Sequence, residues 1–215
     1  MRMRFGIAGY LIGLTLLLGG CAINHGPRID NIPMYGQPQI ERPEFLKKAD
    51  EVFIKQATSG FGSREAASKA WHAQAEKFMR EGNMDYAMRR YNQSWLLNPD
   101  NYQPYWGFAR FVAEQNKLDD AIAYLEKSKN LCDDNYQKVA LLADAGSIYS
   151  YKADSIPHDR LDERARYFTL ANRNFLESTG LDPKYPDAWL RWSHSLFREG
   201  KYAEAWEKLK IASTT

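Results

Sequence analysis

Ala87-Met88-Arg89-Arg90-Tyr91 is answered 34 residues later by Ala121-Ile122-Ala123-Tyr124-Leu125. Ala171-Asn172-Arg173-Asn174-Phe175 follows 50 residues further on, and Ala205-Trp206-Glu207-Lys208-Leu209 another 34 after that. A small residue and a bulky one, four apart, share one face of a helix. Recurrence at a fixed period marks stacked supersecondary units. A companion pattern precedes each copy. Trp71, Tyr105, Leu142 and Trp189 each open a helix, and Ala75, Ala109, Gly146 and Ser193 lie four residues on. Phe78, Val112, Tyr149 and Leu196 lie three beyond those. Gly82 and Gly200 mark turns between the paired helices, and Leu97-Asn98-Pro99 and Leu181-Asp182-Pro183 close two of the units.

Each unit therefore reads as two antiparallel helices that cross at their small residues, with the large ones filling the flanks. A single hairpin cannot bury its apolar face, so neighbours must stack. Proline stops the second helix and turns the chain. Over about residues 66–215 the pattern resembles the tetratricopeptide repeat. That resemblance implies an all-α solenoid of about four helical hairpins, with an N-terminal extra helix. The array is expected over 63–215, with units at about 68–101, 102–135, 139–185 and 186–215. The extra helix, opened by Pro43, and its loop occupy 43–62. Phe45, Leu46, Ala49, Val52 and Phe53 recur at helical spacing over 43–57, and Ser63 is placed to cap the next helix.

Three departures stand out. Unit three carries extra residues around 153–163, read as a loop through Ser155-Ile156-Pro157-His158-Asp159 after which the second helix starts earlier than usual. Unit two lacks a closing proline and has Cys132-Asp133-Asp134 instead. Trp206 stands where Met88 and Ile122 would meet a following unit, which predicts an exposed terminal patch.

The N-terminus reads as an address. Arg2 and Arg4 precede an uncharged apolar run, Phe5 to Leu18, and then Gly19-Gly20-Cys21. This is a secretory layout, and the run is short for a bilayer span. Leu18-Gly19-Gly20-Cys21 resembles the bacterial lipobox. The resemblance implies a signal peptide at 1–20, cleavage before Cys21, and lipidation of Cys21 with diacylglycerol and palmitate-type acyl chains. Ala22 replaces the aspartate that would retain a lipoprotein in the inner membrane, which by analogy implies an outer-membrane anchor facing the periplasm. Residues 21–42, with Pro27, Pro33 and Pro38, read as an extended linker. A packing role for Ile32, Met34, Tyr35 and Ile40 is the alternative.

The chain carries 29 basic and 27 acidic side chains. Without Arg2 and Arg4 the two signs balance, so no global field favours a nucleic-acid partner. No nucleophile elbow, phosphate loop or HExxH is present, and no cofactor is expected. His158, with Asp154, Asp159 and Asp162 nearby in sequence, is the one weak metal candidate, and a solvated turn is the plainer reading. Cys132 reads as a small apolar filler.

By position, the resemblance places Lys69, His72, Glu76, Arg80, Trp106, Arg110, Glu114, Ser147, Tyr151, Leu190, His194 and Arg198 in a groove formed by the first helices. Trp106 and Tyr151 offer amphipathic area, and Arg110 a fork for a carboxylate. Some tetratricopeptide domains clamp a chaperone tail with Lys and Asn, but the corresponding positions here hold His72, Glu76, Gly107, Ala140 and Asp144. The expected role is a membrane-anchored, non-enzymatic scaffold that binds a protein or peptide of the cell envelope. The alternatives are a homo-oligomer formed through Trp206 and a weak metal-dependent enzyme.

Overall fold

The computed structural model describes residues 28–215. The signal segment and Cys21 lie outside the described residues. Among the described residues there are nine α-helices and no strand. Helix α1 (Glu44–Phe61) precedes four hairpins: α2 (Arg64–Arg80) with α3 (Met84–Leu97), α4 (Tyr102–Glu114) with α5 (Leu118–Leu131), α6 (Asn135–Ser155) with α7 (Leu161–Leu181), and α8 (Pro186–Glu199) with α9 (Tyr202–Thr214). No described helix is long and apolar enough to cross a membrane.

Local chemistry sets the helix ends. The side chains of Ser63, Asn83, Asn101 and Asp134 accept backbone N–H groups at the starts of α2, α3, α4 and α6, supplying partners the first turn lacks. Asp134 therefore serves where unit two has no closing proline. Gly200 ends α8 in the left-handed region at φ 87°, a conformation glycine adopts without a Cβ clash. Helix α1 runs four residues beyond the expected 57, because Phe61 packs edge-on to Trp71 with Phe53 beside it (centroids 5.3 and 5.5 Å from the Trp71 ring).

The core follows the repeat. Ala75, Ala109 and Ala87, Ala121, Ala171 are fully buried, as are Tyr91, Phe108 and Phe175. Each such large side chain stabilises the fold by about 2 kcal/mol. A Cβ on Gly107 would overlap the Tyr91 ring, and one on Gly146 would meet Phe175 at 2.8 Å. A second register recurs in the second helices. Ser94, Ser128 and Ser178 donate to the carbonyls of Ser68 (2.8 Å), Tyr102 (3.0 Å) and Val139 (2.8 Å). Each serine bolts its helix to the first helix of its own unit.

The insertion in unit three lengthens its helices around a short turn near the loop read at 155–159. Helices α6 and α7 each lengthen to 21 residues, and only 156–160 turn. Arg164 holds that turn by donating to the carbonyls of Ala153 (3.1 Å) and Ile156 (2.8 Å). One expectation needs correction: the extended linker over 21–42 does not hold for its described part, where the packing alternative applies. Residues 29–31 and 33–36 form short 3-10 turns against α3, and Tyr35 is buried beside Trp95. Met34 and Tyr35 both take φ 54°, which costs about 1–2 kcal/mol per residue. Burial of the Tyr35 ring and the hydrogen bonds of Asn92 offset that cost.

Candidate functional site

The first helices α2, α4, α6 and α8 line a cavity of about 430 Å³. Met79, Ile148 and Tyr151 give it apolar flanks, joined by Met84 from α3, while Arg110, Asp144 and Arg191 form a polar floor.

That floor is internally paired. Arg110 of unit two donates to both oxygens of Glu76 in unit one (3.1 and 3.0 Å), and the Tyr91 hydroxyl donates to Glu76 at 2.6 Å. Arg191 of unit four donates to Asp144 of unit three (2.6 Å) and to Asp187 (2.6 Å). The Trp106 indole N–H donates to the second Asp144 oxygen at 2.7 Å, joining unit two to unit three. The pairs Glu76–Arg110 and Asp144–Arg191 thus clasp adjacent units at equivalent positions: Glu76 and Arg110 are 34 residues apart, while Asp144 and Arg191 each follow a helix-opening residue, Leu142 and Trp189, by two.

Burial and charge compete in these groups. Burial would raise the Glu76 carboxyl, but Arg110, the Tyr91 hydroxyl and His72 outweigh it and hold it below its ordinary value. Burial dominates at Asp144 and raises its carboxyl despite Arg191 and Trp106. Burial works against the Arg110 and Arg191 charges, yet the facing carboxylates prevail and raise both.

The expected groove residues separate. Arg110, Glu114, Ser147 and Tyr151 line the cavity, and Arg198 lies over the Tyr151 ring at 4.7 Å. Glu76 and Trp106 belong to its floor network. The Arg110 fork is already filled by Glu76, so it does not stand open for a ligand carboxylate. His72 is a correction. It is buried against Tyr91, and burial lowers its pKa to about 4, so it is a neutral packing residue. Lys69 and Arg80 are exposed, Lys69 paired with Glu65 at 2.7 Å. Leu190 is exposed outside the cavity.

His194 belongs elsewhere. With Phe197, Tyr202, Trp206 and Leu209 it lines a separate, almost wholly apolar cleft of about 260 Å³ between α8 and α9. Trp206 is 64% exposed, whereas its counterpart Met88 is fully buried. Sequence reasoning marks Asp144 only as a position of the absent chaperone-tail clamp, and it misses Arg191 as a groove residue. Their opposite charges at one helix position of successive units were the available signal.

His158 lies in the 156–160 turn, and among the described residues no group of three His, Cys, Asp or Glu is placed to hold a metal ion. Asp154 faces Arg164 and Arg198 (3.8 and 4.0 Å). Cys132 is buried, which pushes its thiol up and away from the reactive thiolate.

No family model and no curated protein matches the sequence. Solved structures do. MamA superposes with a TM-score of 0.51 at 15% identity, covering 81% of this chain and 95% of its own. Pseudomonas aeruginosa PilF superposes with 0.51 at 16% identity, covering 80% of this chain and 78% of its own. The fold is a tetratricopeptide-type solenoid. At these identities the likeness concerns architecture alone.

Proposed function

We propose that the array is a non-enzymatic binding scaffold that receives a protein or peptide segment along its first-helix groove. The observation that carries this reading is the cavity itself: apolar flanks at Met79, Met84, Ile148 and Tyr151 over a floor whose charges are already matched. A ligand that met unpaired arginines would have to be acidic. Here the arginines are engaged, so the groove suits an amphipathic segment that contributes apolar side chains and backbone hydrogen bonds. Anchoring through lipid on Cys21, at the outer membrane and facing the periplasm, rests on the signal layout and lipobox of the sequence.

A photocrosslinker at Ser147 or Tyr151 in cells tests the groove. A specific adduct is expected there and not from Arg173, an exposed position on a second helix. The same adducts from both positions would remove the groove from consideration. A second reading, self-association through the cleft at Trp206, is favoured by the exposure of Phe197, Tyr202 and Trp206 together.

A further inference from the structure

A tether needs no built contacts, yet residues 28–42 have them. Asn92 of α3 spends both amide N–H groups on the carbonyls of Asp30 (3.0 Å) and Ile32 (2.9 Å), and its oxygen accepts the Tyr35 N–H (3.3 Å). Arg89 pairs with Asp30 at 2.9 Å, and Asn31 donates to Asp85 at 3.1 Å. The Arg42 guanidinium covers the buried Tyr35 ring at 3.9 Å and makes two bonds, 2.7 and 2.6 Å, to Asp50 of α1. The strap therefore joins α1 to α3, and its beginning sits over the start of α3, next to the turn at Gly82. The groove network lies on the other layer, the first helices.

We infer that this strap is a mount that holds the unit-one end of the array, at its α2–α3 turn, against a lipid surface and leaves the groove clear. The inference rests on the reading of Cys21 as the lipid anchor. Distance decides the matter. Seven residue steps separate Cys21 from Arg28, and a fully extended chain spans at most about 3.6 Å per residue, or about 25 Å. Were residues up to Glu44 free to pay out, the reach would be about 80 Å on the same rule, and no part of the array would be preferred. Clamping at Asn92 and Tyr35 shortens the reach about threefold and selects one end.

The test uses the full-length lipidated protein in phosphatidylethanolamine–phosphatidylglycerol vesicles that carry an acceptor dye on the headgroup. A donor dye is placed at Glu81→Cys, in the unit-one turn, or at Lys210→Cys on α9. Energy transfer at least twofold stronger from position 81 is expected. Inserting twenty Gly/Ser residues between Gly26 and Pro27 leaves the strap intact and should equalise the two positions, as should Asn92→Ala with Tyr35→Ala. Equal transfer in the unmodified protein, or a difference that survives the insertion, overturns the mount while leaving the anchor standing. A mature protein with no lipid adduct by mass spectrometry, which fails to float with vesicles, overturns both.

Discussion

At the scale of single residues, His72 shows how position and environment diverge. Its place in the repeat belongs to the groove, but the ring lies against Tyr91 at 5.7 Å with Glu76 at 3.8 Å. Burial lowers its pKa from 6.5 to about 4. Below pH 6.5 the unfolded chain takes up a proton that the folded chain refuses until about pH 4. Stability linked to His72 is therefore whole above pH 6.5, and it declines between 6.5 and about 4. Between pH 7.5 and 5.0 the loss should reach about 2 kcal/mol. Denaturant midpoints of the native chain and of His72→Phe, measured at both pH values, check this. The native chain should lose more stability on acidification, and equal losses would show that His72 is not the titrating group. The inward orientation of His72 was not legible in the sequence, since a polar residue at a groove position reads as solvated until the rings around it are placed.

At the scale of elements, close approach between helices decides more than propensity does. Gly107 lets α4 lie on Tyr91 of α3, and any Cβ there strikes the ring. Overpacking of this kind costs about 1–3 kcal/mol. Gly180, the last residue but one of α7, has nothing within 4 Å of an added Cβ, and alanine there should stabilise by up to about 0.5 kcal/mol through helix propensity, which weakens at a helix end. Thermal melts of Gly107→Ala and Gly180→Ala should move in opposite directions, and a shared direction would mean that the crossing at Tyr91 has room for a methyl group. The hairpin elements were legible because the small and large residues recur in phase. The early start of α7 was legible from the turn signal around Pro157, but the run of α6 to Ser155 was not, because a turn signal does not say how far the preceding helix extends.

For the molecule as a whole, the stack leaves two surfaces outside the groove. One is the cleft at Phe197, Tyr202 and Trp206. If copies associate through it, Trp206→Glu should abolish any concentration-dependent oligomer seen by sedimentation, because a carboxylate there would lose its water. An unchanged oligomer would exclude this face. The other is the outer side of α3, taken by the strap. The sequence by itself determined the hairpin count, the crossing residues and the all-α class, since these follow from periodicity and side-chain size. Tertiary structure alone decided that Glu76 neutralises Arg110, that Asp144 holds Arg191 and Trp106, and that the proline-containing segment binds α3. Those outcomes depend on which side chains meet across units. A neighbouring carboxylate or a buried asparagine is invisible to local pattern until the helices are stacked.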